Sequence, residues 1–382
     1  PVLGCRPVTP AAVIQRSRRT RLVAAALLLL VHGAARAGDL DDPFPVRNQL
    51  PFHLPFLDQT PAAARTVGRG RVSLRVHLTH ENTFAATDAL IRVFDADDFA
   101  TWNGRVTRGI LEAAASASPD GTAFILDGET TRAVFDVAVG LTPRLDLELS
   151  IPLLRHGGGF MDGAIDWYHE RLGFPDAGRR GFERGLFLAG YAGDGESLFL
   201  DRQASGIGDA VVSVRALLIP QGPRRPALAG GAALKLPTGN PDRLLGSGST
   251  DLGASITLSH RRGRTALHGG YQHDWIGRWD AAPNVPLDDS RSLFAAWAFT
   301  ATPRSALVVQ LLRSRGVFPH RRENDLGRTA TEAAVGMRHR VAEDLIFEWS
   351  LLENLARDYN TPDFGAFFGL TFEPPDRSGA RP

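Results

Sequence analysis

One cysteine, one lysine and two methionines are all that the 382 residues contain of those types. The cysteine, Cys5, falls ahead of the segment expected to remain after export, so disulfides are not expected to hold the folded protein together. Every basic residue except Lys235 is arginine, and the formal charge is only +1. There is no basic excess to point to nucleic acid and no acidic excess to point to a cation store. After the first forty residues no apolar run approaches the roughly 20 residues of a membrane-spanning helix. The longest, such as Leu293 to Phe299, have the length of a strand, so a helical inner-membrane protein is excluded. GxSxG, HExxH and EF-hand patterns are also missing.

The first forty residues have an exporting pattern. Arg16, Arg18, Arg19 and Arg21 precede an apolar run from Leu22 to Val31, followed by Ala35-Arg36-Ala37. Positive, apolar and small residues in that order describe a secretory signal, with cleavage expected after Ala37. The chain opens at Pro1, so its true start is expected upstream. Residues 38–70 form an N-terminal segment expected to be a plug or a periplasmic extension. Its stretch "FPVRNQLPFHLPF" is too apolar for a free linker and is expected to pack on something, such as the inner wall of a barrel.

From residue 71 the dominant signal is a period of two. Val72, Leu74, Val76 and Leu78 alternate with Ser73, Arg75, His77 and Thr79, and Leu145, Leu147, Leu149 and Ile151 alternate with Asp146, Glu148 and Ser150. Similar stretches recur to Phe372, including Ala123–Asp127 and Thr131–Leu141, for about a dozen candidates. Many have the roughly 9 to 11 residues that cross a bilayer at a tilt. Short turns at "LTPR", "RRGR", "ATPR" and "VAED" alternate with long connections at 83–121, 155–206, 237–250 and 276–290. That rhythm suits an outer-membrane barrel, although a soluble sandwich or propeller also alternates. Lipid offers backbone amides no partner, so a spanning sheet must close on itself.

The expected fold is therefore all-β: an antiparallel transmembrane β-barrel of about twelve strands over 71–373, with long outer loops and short periplasmic turns. A polar tail, 374–382, follows. Arg75, His77, Arg132, Asp136, Asp146, Glu148, Arg215, Glu332, Arg338 and Glu348 fall on the polar faces and are the candidate lumen lining. They either line an open pore or pair with one another and close it. Tyr271, Trp275, Trp297, Phe299, Phe347, Trp349 and Phe372 are expected in interfacial girdles.

The glycine-rich stretch 234–258, "LKLPTGNPDRLLGSGSTDLGASITL", holds Lys235 ahead of its glycines and resumes a two-residue period at Leu252. A phosphate-binding loop needs the lysine after the glycines, between strand and helix. An outer hairpin loop is expected instead. Asp166, His169 and Glu170 form a candidate loop site, either a general base or metal ligand or else part of a helix capping the barrel. His273 and Asp274 are adjacent on a strand and point to opposite faces. Asp358, Asn360 and Asp363 fit a turn without a metal. No catalytic residue, metal or cofactor is assigned.

"NQLPFHLPFL", "WYHERLGFPDAGR", "GIGD", "LKLPTG" with "GSGSTDLG", and "ENLARDYNTPDFGAFFGL" occur in that order. On these stretches the chain resembles the bacterial family catalogued as domain of unknown function 3187, whose members are regarded as exported and barrel-like. The resemblance carries over no catalytic residue. The tail "EPPDRSGARP" departs from the terminal aromatic that barrel-insertion machinery reads. The expected setting is a Gram-negative outer membrane. The expected partners are its lipid, the insertion machinery and a small solute, without nucleic acid. The expected activity is a porin-like channel or small-solute uptake. The alternatives are a non-transporting structural or interaction barrel and an outer-membrane hydrolase.

Overall fold

The computed structural model describes residues 40–95, 105–161, 185–322, 324–355 and 360–373, together with Gly163, Trp167 and Arg171. In chain order the strands are β1 (Val72–Ala86), β2 (Ala123–Thr142), β3 (Leu145–Gly157), β4 (Leu188–Gly193), β5 (Glu196–Leu200), β6 (Ala204–Ile207), β7 (Ala210–Ile219) and β8 (Ala227–Leu236). They continue with β9 (Asp251–Arg262), β10 (Thr265–Trp275), β11 (Ser290–Thr302), β12 (Ser305–Arg315), β13 (Thr329–Ala342), β14 (Leu345–Asn354) and β15 (Phe364–Phe372). All but β4, β5 and β6 form a closed twelve-stranded antiparallel barrel. Its seam joins β1 to β15, from Leu74 opposite Phe372 to Asn82 opposite Phe364.

The period of two decides which way each side chain faces. Val76, Leu78, Phe135, Leu147, Leu149, Leu267, Leu293 and Leu370 point outward and stay exposed, and Leu267 keeps 59% of its surface. A continuous apolar ring of this size is a liability in water and a requirement in lipid. That ring rules out the soluble sandwich and propeller. Trp275 lies in it near the long-loop end, Phe299, Phe347 and Phe372 near the short-turn end, and Tyr271, Trp297 and Trp349 between them. The short turns mark the periplasmic end and the long loops the outer end.

Three parts differ from the sequence expectation. Ala123–Asp127 and Thr131–Leu141 are not two strands but one, the 20-residue β2, which continues through Gly128 at φ 148°. Only glycine tolerates that angle cheaply, and the irregularity there breaks the visible alternation. The connection 83–121 is not simply a loop, because it folds into helices α1 (Asp88–Asp95) and α2 (Arg108–Ala117). Leu90, Leu111, Ala114 and Ala115 bury against Ile125 and Ala192 at the projecting end of β2, which pairs there with β4. The connection 155–206 supplies β4, β5 and β6, and β6 continues the wall beside β3 above the point where β7 stops.

The segment 40–67 lies among the inward-facing side chains. Leu40 packs on Ala306 and Ile346 near the periplasmic end. Phe44 and Val46 pack at mid-height on Ala266, Ala298, Val308, Ala334, Leu352 and Phe367. Leu50, Phe52 and Phe56 reach the outer loops, where Phe52 and Phe56 each approach Trp279 edge-on at 5.9 Å. The chain then turns back, with Ala64 donating its amide to Ser259 Oγ at 2.8 Å and Val67 donating to Asp146 Oδ2 at 2.8 Å. Residues 40–67 thus form a hairpin inside the barrel, with both ends at the periplasmic side.

Proline explains why this hairpin does not join the sheet. Pro43, Pro45, Pro51, Pro55 and Pro61 lack an amide donor and hold an extended φ. Several of the remaining amides bond to wall side chains instead, and others bond within the hairpin. Gln310 makes a double contact with Phe44, accepting from its N–H at 2.9 Å and donating to its carbonyl at 3.1 Å. At the tip Arg47 donates to the carbonyls of His53 and Phe56 at 3.0 and 3.1 Å, and pairs with Asp58 at 3.4 Å. One buried guanidinium therefore braces the whole bend.

Candidate functional site in the barrel lumen

The inner wall has two different halves. From β10 to β15 an apolar patch of Ala266, Ala298, Val308, Ala334 and Phe367 lies among buried polar groups such as Gln310, Arg338 and Glu348, and the rising limb of the hairpin packs on it. From β1 to β9 the wall is polar, and between it and the returning limb lies a cavity of about 160 Å³. Seven of the ten candidate lumen residues line that space: Arg75, His77, Arg132, Asp136, Asp146, Glu148 and Arg215. The hairpin adds Asp42, Asp58, Gln59, Thr60 and Arg65, and Glu373 completes the charged lining.

Many of these groups are partnered. Ser150 Oγ donates to Asp136 Oδ1 at 2.6 Å, His77 Nε2 lies 3.3 Å from Asp136, and Arg215 lies 3.8 Å from Glu148. Capacity is left over, because His77 Nδ1 and Asp146 Oδ1 are buried without a hydrogen-bond partner among the described residues. Such atoms need water or a polar solute to replace the bonds lost on burial. Four arginines (65, 75, 132, 215) face six carboxylates (42, 58, 136, 146, 148, 373), a formal 4 − 6 = −2 for these lining residues, while Arg47 and Arg338 just outside them pair with Asp58 and Asp42.

The other three candidates lie on β13 and β14, outside that lining. Arg338 and Glu348, both fully buried, pair at 3.0 Å, and Arg338 also reaches Asp42 on the hairpin at 3.5 Å. Glu348 lies 3.6 Å from Arg75 and accepts from Thr371 Oγ1 at 3.1 Å, which ties this pair to the cavity edge. Glu332 faces Val46 and Arg47 of the hairpin. Asp166, His169 and Glu170 lie outside the described residues, as do 1–39 and 374–382. His273 points outward and Asp274 inward, where Asp274 accepts from Gln59 Nε2 at 2.8 Å.

Sequence reasoning missed a second cluster at the outer end of the lumen. Lys235 Nζ donates to Asp209 Oδ2 at 2.5 Å, Ser247 Oγ at 2.6 Å and the Ser249 carbonyl at 3.0 Å, and lies 3.2 Å from Asp251. Asp209 also accepts the amides of Gly239 and Ser247, and Asp251 those of Leu57 and Gly277. Asn48 donates to the carbonyl of Asn360, whose own amide donates to that of Arg328. The stretches "NQLPFHLPFL", "GIGD", "LKLPTG", "GSGSTDLG" and "NTPDF" therefore converge on the hairpin tip. The lone lysine amid acids and serines was the available signal.

The tip carries a pH dependence. His53 stacks on Phe318 at 5.9 Å beyond the strand ends, and burial, aided by Arg47, lowers its pKa from 6.5 to about 4. The native state therefore holds neutral His53, and its stabilising effect is complete above pH 6.5. It is lost as pH falls toward 4, because the unfolded chain takes up the proton first. The loss reaches about 3 kcal/mol at most. Thermal unfolding followed between pH 7 and 4 should show a fall that His53→Phe reduces. An identical profile in the variant removes His53 as the cause.

A similar fold occurs in a solved structure. An outer membrane channel from Pseudomonas putida F1, described as COG4313, is 15% identical, with a TM-score of 0.50 over 83% of this chain and 100% of that one. The toluene transporter TbuX of Ralstonia pickettii gives 11% identity and a TM-score of 0.35, over 90% of this chain and 95% of that one. Outer membrane phospholipase A of Escherichia coli gives 8% and 0.35, over 79% and 93%. No curated protein matches the sequence. The profile of the family described as "Protein of unknown function (DUF3187)" matches residues 110–373, well over half the chain, and the protein belongs to that family.

Proposed function

We propose that this protein is an outer-membrane channel for small polar solutes, with a preference for cations, closed at rest by its own N-terminal hairpin. The polar cavity carries this reading: it is a partly filled, net-negative space with unsatisfied His77 and Asp146 atoms in a barrel whose outside suits lipid. A twelve-stranded barrel is wider than the eight-stranded kind that side chains alone can fill. The hairpin takes up that extra width and leaves the cavity beside it. Passage requires the hairpin to shift along the lumen or leave it.

One observation favours the second reading, a non-transporting barrel. The tip is sealed by Leu50, Phe52, Phe56, Trp279 and Phe318 and is bonded to several loops. A reversible lock separates the two readings. Ala64 and Ser259 touch through a 2.8 Å bond, so A64C/S259C can tie the returning limb to β9. In proteoliposomes the reduced variant should admit small cations and the oxidised one should not. Equal impermeability in both states, with the gel-mobility shift of a folded barrel retained, removes the channel.

A further inference from the structure

The outward surface carries a feature that permeation does not use. On adjacent strands β11 and β12, Arg291, Arg313 and Arg315 point to the lipid side near the outer end. Arg291 is directly opposite Arg315, and Leu293 is opposite Arg313. Arg315 donates to Asp288 at 2.6 Å, and the nearby Asp289 lies 3.3 Å from His273 on β10. Arg291 and Arg313 are exposed and have no hydrogen bond or ion pair among the described residues. Like charges directly opposite one another across a sheet are destabilising unless something neutralises them.

Height along the barrel identifies the neutraliser. At about 3.4 Å per residue and a tilt near 40°, Arg313 and Arg315 stand about 21 and 26 Å above the turn at Ser305, and an apolar belt is about 25 Å tall. Leu293, Leu311 and Trp297 lie beside and below the arginines in that belt. The guanidinium groups therefore sit where acyl chains give way to headgroups. An unpaired arginine at that level is matched by an oxyanion, and a phosphate accepts two parallel N–H bonds from its planar fork. The carboxylates nearby already have partners.

We propose that Arg291 and Arg313 form a docking site for the phosphate of a phosphorylated glycolipid in the outer leaflet. The site lies on the outer wall of β11 and β12 and rests on the outer-membrane reading, though not on whether the lumen conducts. The lipid phosphate screens Arg291 from Arg315 and fixes this face of the barrel against the membrane.

The test uses the purified full-length protein in a non-ionic detergent, with diphosphoryl lipid A, chemically dephosphorylated lipid A or inorganic phosphate added, and native mass spectrometry as the readout. The wild type should retain diphosphoryl lipid A, and R291Q/R313Q should retain about tenfold less. Arg155→Gln, an outward arginine on β3, should leave retention unchanged. The gel-mobility shift on boiling confirms that each variant is folded. Three results would overturn the site: equal retention of dephosphorylated lipid A, unchanged retention in the double variant, or displacement of the lipid by inorganic phosphate at equal concentration. Loss of conductance alone leaves this result unaffected, so the two proposals fail separately.

Discussion

Deleting residues 41–66 should convert a barrel of low conductance into an open pore, with single-channel current rising roughly tenfold or more. Residue 40 and residue 67 both lie near the periplasmic end, so the cut ends need not span the lumen. The deletion removes Asp42, Asp58 and Arg65 from the lining but leaves Asp136, Asp146 and Glu148 on the wall. The open pore should therefore keep its cation preference. The wall stands on strand-to-strand bonds from β1 round to β15, and heat-modifiable gel mobility checks that it still forms. If the deletion variant runs as a folded barrel yet passes no current, the hairpin is not what closes the lumen. A milder variant, Phe44→Ala with Val46→Ala, loosens the packing on Phe367 and Val308 without removing any chain. It should give longer and more frequent openings than the wild type.

Replacing Lys235 by Met should cost about 3–5 kcal/mol, the usual penalty for stranding buried charge by removing one partner. Asp209 and Asp251 retain 3% and 0% of their side-chain exposure, so water cannot take over from the ammonium. Arginine is no conservative substitute here. The three donors of Nζ reach Asp209, Ser247 and Ser249 in different directions, whereas a planar guanidinium directs its bonds into one plane. The measurement is the temperature at which the cold, detergent-resistant form is lost, which should drop clearly for K235M. The triple change D209N/K235M/D251N removes the charges together and should recover much of the loss. If K235M alone melts like the wild type, the network does not hold the tip. Asp251 also accepts the Leu57 amide, so loosening here should raise solute leakage before the barrel unfolds.

The barrel was legible in the sequence because one face of every strand meets lipid and the other meets polar groups. Leu145, Leu147 and Leu149 against Asp146, Glu148 and Ser150 need no partner to be read. The candidate lining could be named for the same reason, since parity alone puts Arg75, His77 and Asp136 inward. What they pair with was not legible. Arg338 finds Glu348 across a strand pair and Asp42 from a segment nearly 300 positions away, and no local pattern encodes that distance. The hairpin has no period at all, because its contacts are set by twelve strands around it. Its prolines and apolar residues marked it only as unfit for a linker. The helices α1 and α2 were hidden inside a connection expected to be irregular, where short amphipathic pieces give little signal.

The hairpin enters and leaves the lumen by the same end, with Leu40 near Ile346 and Val67 on Asp146. Topologically it is a stopper on a tether and not a thread. No chain end has to pass through the wall for it to come out or go back, and withdrawal leaves neither a knot nor a cut. The tether is the short stretch before β1, and β1 is also the strand that closes the seam with β15. A pull on the hairpin from the periplasm is thus delivered to the final joint of the ring, so force on the stopper and integrity of the wall share one anchor.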